Sequence, residues 1–520
     1  PQISYSKMPL FLFKYFWRVP NLLRESKNFT IEENLGMLHY LKDMKHLSET
    51  LNKHFPSSKE PKFKLHLLEH HFCHAASAFF CSPFEEAAIM TIDGAGEWTT
   101  AQLSYGKGNK IEKIKTINTP HSLGAFYQAI SIYLGFKLIE GPGKLMGLAS
   151  YGGKRNTEEY KKMRQLIQLT TDGGFKLDMS YFSYHYTRKS GVSKKFIDLF
   201  GLPNATGGKT WTEHEYNIAN AAQLIVEDAY FHMADYLCQV TKSSNICIAG
   251  GVGLNSVSNG LLIKKGPFKE MFIQPAAGDS GTSLGSALFL NNQILGRERK
   301  YIMDTAFLGP GFTDKQYEEE IKKFGLPYVK TEKYYEFAVQ QLKKGKIIAW
   351  HQDRLEFGPR ALGNRSIMAN PCLPEMKDVL NARVKFREAF RPFAAIVNEE
   401  DCGKYFDCGY PDPYMLKVYN VREEYKKQLP SITHVDGTIR IQTVTEKENP
   451  SMRKLLNEFK KETGFSVLIN TSFNIKGEPI VCTAYDAVYS FDRCDMDYLV
   501  IGNFIVAKKG DEEILKNWSN

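Results

Sequence analysis

The chain contains no Cys-x-x-Cys pair, no apolar run of eighteen residues, no internal repeat and no low-complexity segment. Each absence removes a class of protein. The nine cysteines, at 73, 81, 238, 247, 372, 402, 408, 482 and 494, have neither metal-knuckle spacing nor the density of a disulfide scaffold, so free thiols in a reducing cytoplasm are expected. Neither a membrane span nor a signal peptide with a small-residue cleavage site is legible, and neither membrane nor export is expected. Lys and Arg number 67 against 58 Asp and Glu, a formal +9 with the signs mixed along the whole chain. Without a basic arm, nucleic acid is not expected as a partner. The aromatic, basic run Pro9 to Arg18 reads as a buried or acceptor-facing helix rather than a membrane-surface one.

What is present is enough apolar residue, 43% of 520, for real cores, and room for about three domains of ordinary size. Residue 1 is proline, a helical, charged region runs over Thr30–His54, and the first strand pattern appears only at Phe63–Leu68, so an N-terminal piece is expected to precede this one. From about 63 to 300, short β-rich runs (Lys64–Leu68, Ala87–Ile92, Asn245–Ile248, Glu270–Gln274) end at Gly, Asp or His, and helical patterns such as Asn217–Thr241 follow. This is α/β organisation with reactive residues at strand ends. The Gly/Pro break at Phe307–Phe312 and the helix Thr313–Phe324 mark a boundary, dividing the chain into 1–308 and 309–520. Beyond it the strand candidates are Ile347–Trp350, Tyr414–Val418, Ile439–Thr443, Ser466–Leu468 and Tyr498–Val506, among fewer and shorter helices.

From Phe357 to Phe393 the residues Arg360, Arg365, Arg383, Lys385, Arg387 and Arg391 share one stretch with Gly, Pro and Asn. Arginine forks match paired phosphate or carboxylate oxygens, and Gly-Pro turns let backbone N–H groups approach the same anion. The stretch therefore points to a small, highly charged substrate, since a solvated face would mix Lys and Glu at helical spacing. Arg440 in Asp436–Arg440 and the polar run Asn470-Thr471-Ser472-Phe473-Asn474 would converge with these cations, or the polar run forms an Asx/Ser turn.

Alanines favour a helix through Glu69–Phe79, which sets His70 and His74 at i and i+4 on one face. Two imidazoles so spaced chelate a metal or form a core pair. Asp93, delivered by an apolar run into a glycine turn, and Asp279 would complete a two-His, two-carboxylate set suited to iron, manganese or zinc. The glycine turns at 250–253 and 278–285 offer backbone N–H groups to phosphate or ribose, or allow tight strand–helix packing. Lys144, within Gly141–Gly147, adds a loop cation or faces solvent.

Ten segments in order, HHFCHAASAFF, TIDGAGE, PHSLGAFY, KLMGLASYG, AGGVGLN, GDSGTSLG, FGPRALGNRS, VKFREAFRPF, HVDGTIRIQTV and LINTSFNIKGEPIV, resemble the O-carbamoyltransferases of the nodulation-factor and antibiotic-tailoring type, from about Lys64 to Lys508. The resemblance implies an α/β chain with an actin/sugar-kinase-like first domain, similar to the tRNA threonylcarbamoyl-transfer enzymes. An α+β domain with a twisted sheet, similar to enzymes that build carbamoyl-adenylate, would follow it. It implies ATP with Mg2+, carbamoyl phosphate, a metal of which iron is the first candidate, and a hydroxyl-bearing sugar or natural-product acceptor. A homodimer is left open. Carried over by motif, Arg360, Lys385, Arg391, Arg440 and Ser472 would hold carbamoyl phosphate, with Asn470 near the nucleotide. His70, His74, Asp93 and Asp279 would hold the metal, and Gly124, Gly251 and Asn255 the adenylate. The family's usual N-terminal strand hairpin, with its His-Asp-Ala-Ser-like loop, has no counterpart after Pro1. Three rival readings are a tRNA threonylcarbamoyl-adenosine enzyme, a cysteine-carbamoylating hydrogenase maturation factor, and a non-catalytic ATP-binding scaffold. The first would carry a stronger basic surface and the second a zinc finger; the third has no use for the arginines.

Overall fold

The computed structural model of the chain describes residues 66–138, 140–185, 191–203 and 210–518. The aromatic run 9–18 and the charged helical region 30–54 lie outside the described residues. Of the expected strand 64–68, residues 66–68 are irregular and lead straight into a helix.

The first half is built on a mixed five-stranded sheet in the order β3-β2-β1-β6-β7. β1 (Glu86–Ile92), β2 (Thr99–Lys107) and β3 (Lys110–Asn118) form an antiparallel meander. Its tight turn is Gly108-Asn109, where Gly108 takes a φ of 55° that a side chain would resist. A small ribbon, β4 (Ile167–Leu169) and β5 (Phe175–Leu177), stands apart, and β6 (Asn245–Ala249) and β7 (Glu270–Ile273) continue the sheet in parallel with β1. Successive residues of β1 serve opposite faces. Met90 and Ile92 join a core with α2 (Leu123–Tyr133), α3 (Gly141–Ala149) and α4 (Glu213–Thr241), while Ala87 and Ile89 pack against α1 (His70–Phe79). Both faces are thus dry, which is why β1 reads as a near-continuous apolar run. The long helix starts four residues before the sequence pattern does, because Thr212 and Glu215 close a capping box. Two further helices, α5 (Ser256–Lys265) and α6 (Thr282–Leu288), follow the two glycine turns.

The second half carries a nine-stranded mixed sheet in the order β12-β13-β11-β14-β10-β9-β15-β16-β8. Its strands are β8 (Tyr328–Lys330), β9 (Ile348–His351), β10 (Arg365–Ala369), β11 (Ala394–Asn398), β12 (Val418–Asn420), β13 (Thr438–Val444), β14 (Val467–Ser472), β15 (Tyr498–Ile501) and β16 (Phe504–Ala507). One face packs on α7 (Asp314–Phe324) and α10 (Ala484–Asp492), the other on α8 (Tyr334–Lys343) and α9 (Pro450–Thr463).

Three expectations change here. The run 498–506 is a hairpin, since Gly502 at φ 53° turns the chain between β15 and β16. Residues 414–417 are a turn, held because the Asp412 carboxylate accepts the N–H groups of Leu416 and Lys417 at 3.1 and 2.9 Å. The arginine-rich stretch read as turns contains strand β10, and β11 follows it directly.

The two halves meet closely. Asn259 on α5 donates to the Leu416 carbonyl at 3.0 Å, Lys264 pairs with Asp407 at 2.7 Å, and Phe390 of the second half is buried against Phe136 and Trp211 of the first. Among the described residues no helix is long and apolar enough to cross a membrane.

Candidate active site

Helix α1 brings His70 and His74 one turn apart, and their Nε2 atoms lie 2.9 Å from each other. Asp93, one residue beyond β1, places Oδ2 3.1 Å from His70 Nε2 and 3.0 Å from His74 Nε2. Asp279, in the turn ahead of α6, brings Oδ1 to 3.5 and 3.7 Å of the same nitrogens. One ligand atom from each residue falls within 4.8 Å of the other three. Two nitrogens converging on one carboxylate oxygen, with a second carboxylate beside them, fit the donor set of a transition metal. The electrostatics agree. Burial opposes ionisation of Asp93, but hydrogen bonds from His70 and His74 outweigh it and hold the carboxyl below the usual range. The same bond raises His70. Asp279 is pushed up, first by burial and then by the Asp93 charge.

The glycines explain how this site is held. A Cβ on Gly124 would stand 2.7 Å from the Gly94 nitrogen, so α2 can press its first turn against the Asp93-Gly94 backbone. Ser122, the N-cap of α2, donates to the Gly94 carbonyl at 2.7 Å. Gly251 donates its N–H to Asp93 Oδ1 at 3.2 Å. Asn255 caps α5 by accepting from Ser258 N at 3.0 Å and is tied to Gln223 at 2.9 Å, within a buried polar network.

The second cluster lies in the other half. Lys385 is buried and donates to Asn474 Oδ1 at 2.9 Å and to the Ser472 carbonyl. Around it the charges of Arg360, Arg387, Arg391 and Arg440 act on one another. Burial, reinforced by Arg391, pushes Arg360 down to about 10 and Arg387 to about 9; burial, Arg387 and Arg391 bring Lys385 well below its ordinary value. A guanidinium keeps its proton at working pH, so the arginine shifts measure crowding that an anion would relieve. All four arginines are half-buried residues, with their charged groups enclosed by protein. The Nε atoms of Arg360 and Arg440 are buried without a partner. The Asp412 carboxylate accepts backbone N–H groups and Glu388 accepts from Lys144 at 3.0 Å, and their charges offset only part of the crowding on Arg440, Arg387 and Arg391.

The comparisons with known proteins decide the family. A model described as "Carbamoyltransferase N-terminus" matches residues 9–288, and one described as "Carbamoyltransferase C-terminus" matches residues 339–508. The chain belongs to the carbamoyltransferase family. Nodulation protein NolNO of Sinorhizobium fredii is 35% identical over 467 residues, covering 88% of this chain and 66% of that protein. An uncharacterized protein of Synechocystis is 43% identical, covering 85% and 76%. The 3'-hydroxymethylcephem-O-carbamoyltransferase of Amycolatopsis lactamdurans is 34% identical over 54% of this chain and 53% of its own length. The protein is thus an enzyme of carbamoyl transfer.

Two cations of the arginine-rich stretch do not join the carbamoyltransferase's hollow. Arg365 is fully buried on β10, where its guanidinium donates to the backbone carbonyls of Gln352, Asn364, Pro310 and Asp353. It stitches loops together. Arg383 is paired with Asp495 at 2.6 Å and Asp497 at 3.3 Å. Asn470 on β14 donates to the Ala361 carbonyl at 3.1 Å and to Gln442 Oε1 at 2.9 Å, leaving its own Oδ1 buried without a partner. Sequence reasoning named Arg387 in the cationic stretch and Asn474 in the polar run but carried neither over as a site residue, and it gave Ser122 and Gly285 no individual role.

Proposed function

We propose that this carbamoyltransferase works in two steps at two places. In the second half, water cleaves carbamoyl phosphate to carbamate and phosphate, and the carbamate oxygen attacks the α-phosphate of ATP, forming carbamoyl-adenylate as pyrophosphate leaves. In the first half, an acceptor hydroxyl takes the carbamoyl group and AMP leaves. The observation that carries this reading is the desolvated cluster of Arg360, Lys385, Arg387, Arg391 and Arg440, in which the Nε atoms of Arg360 and Arg440 are buried without a partner. Charge grows on two leaving phosphate groups in turn, and fixed donors in a low-dielectric hollow stabilise that growth strongly. Ser472 and Asn474 anchor the Lys385 ammonium at the mouth of β14 so that it meets the same anion.

His70, His74, Asp93 and Asp279 would hold a divalent metal, which supplies a Lewis acid toward the carbamoyl group when bound. Gly251 and Ser122 orient Asp93 and its loop, Gly124 lets α2 press against that loop, and Gly251 and Asn255 lie in the turn that would face an adenylate. The mixed sheet with helices on both faces supports an actin/sugar-kinase-like reading of residues 1–308, and a carbamoyl-adenylate-forming reading of 309–520 rests on the cationic hollow. The acceptor is a small molecule bearing a hydroxyl, as the name 3'-hydroxymethylcephem-O-carbamoyltransferase indicates for those relatives. All nine cysteines are free thiols, which supports a cytoplasmic setting.

Labelled pyrophosphate incubated with the protein, ATP and carbamoyl phosphate tests the first step. Label is expected in ATP only when carbamoyl phosphate is present, and Arg391→Ala should cut that exchange by roughly 10²–10³-fold. Wild-type protein that exchanges no label would remove the adenylate step.

A further inference from the structure

Helix α3 lies between the two clusters. On one side it packs with α2, whose first turn touches Asp93, and Met146 meets Ser256, which opens α5 behind the Gly251 turn. On the other it receives the loop that carries the cations: Gly147 faces Pro392 and Phe390, and a Cβ there would stand 3.5 Å from Pro392 Cδ. One ion pair ties this seam. Lys144, with a side chain only 11% exposed, sits between Glu140 of its own helix at 2.8 Å and Glu388 of the cationic loop at 3.0 Å.

Glu388 falls midway between Lys385 and Arg391, and its carbonyl accepts the Arg391 N–H at 3.2 Å. Its side chain has one oxygen on Lys144 and the other buried without a partner. The Arg391 charge also acts on Glu388 and Glu140. The loop is bent at Phe386, a non-glycine residue at φ 44°, a conformation that costs about 1 kcal/mol or more and is kept where the surroundings impose it. A single carboxylate thus ties the cationic loop to a lysine of the first half.

Resting on the two-step reading above, we infer that Lys144 and Glu388 are positioning residues that hold the seam between the hollow and the His/Asp cluster closed, so that carbamoyl-adenylate passes across without meeting water. With the seam loosened, water attacks the carbonyl carbon of the adenylate and the bond to the phosphate oxygen breaks. Its electron pair leaves on AMP, and the carbamic acid formed falls to carbon dioxide and ammonia.

The test needs no acceptor. Full-length protein is given ATP and carbamoyl phosphate alone, and AMP release is measured beside pyrophosphate exchange. Lys144→Met is expected to keep exchange within about twofold of wild type while AMP released per exchange event rises at least fivefold. The charge-swapped double variant, Lys144→Glu with Glu388→Lys, should bring the ratio back toward wild type, which a merely structural role would not do. An unchanged ratio in Lys144→Met, or a double variant that leaks more than Lys144→Met, overturns the inference while leaving the two-step reading intact. Wild-type protein without exchange overturns that reading and this inference with it.

Discussion

Lys385 shows how one buried side chain registers the charges around it. It is 7% exposed, and burial together with Arg387 and Arg391 holds its ammonium well below 10.5. For a base so depressed the sign is fixed: the folded state resists the proton that the unfolded chain accepts. Stability is then full above 10.5, falls as pH drops toward the folded value, and is constant below it. Denaturant unfolding of the wild type should therefore show stability climbing with pH toward 10.5, by at most about 1.4 kcal/mol per pH unit from this group. Added inorganic phosphate should flatten the climb, and Lys385→Met should remove this part of it; a slope that survives in the variant would locate the proton elsewhere. His71 is the contrast. It is buried, pushed down to about 3 chiefly by desolvation, and bonded through Nδ1 to Thr91 Oγ1 at 2.7 Å, so it remains neutral and structural beside His70 and His74.

At the scale of elements, the His/Asp cluster depends on how closely α1 and α6 approach. A Cβ on Gly285 would stand 1.8 Å from the Cys73 carbonyl oxygen, so the two helices can touch only where α6 has no side chain. That contact sets Asp279, just ahead of α6, against the two histidines of α1. Gly285→Ala should destabilise the protein by about 1–3 kcal/mol through overpacking and weaken cobalt(II) binding, followed by its visible absorption. Cobalt binding at wild-type strength in a destabilised variant would separate the helix contact from the metal geometry. The strands β1 and β6 were legible because strands buried on both faces stand out as apolar runs. β10 was not, because its first residue is an arginine whose charge is met by carbonyls from distant loops, a satisfaction no local pattern announces.

For the whole molecule, the halves share packing as well as ion pairs. Phe390 and Leu416, both from beyond residue 308, belong to the apolar core of the first half. Calorimetry should accordingly show one cooperative endotherm. Phe390→Ala should cost about 3–5 kcal/mol and divide it into two, since the aromatic pair with Trp211 and Phe136 is lost with the side chain. Two endotherms in the wild type would mean that the seam contributes little to cohesion.

By itself the sequence determined the chemistry available: two histidines one helical turn apart, aspartates at apolar strand ends, and cations set among turn residues. Period and residue type are local properties, and they survive without a fold. Only the tertiary structure decided which of those groups act together. It turned Arg365 and Arg383 away to carbonyls and aspartates, kept Arg387 and Asn474 beside Lys385, and gave Lys144 to Glu388 across the seam. The physical reason is that a charge takes whatever partner the packing of remote segments brings within hydrogen-bond reach, and that distance is not written in the spacing along the chain.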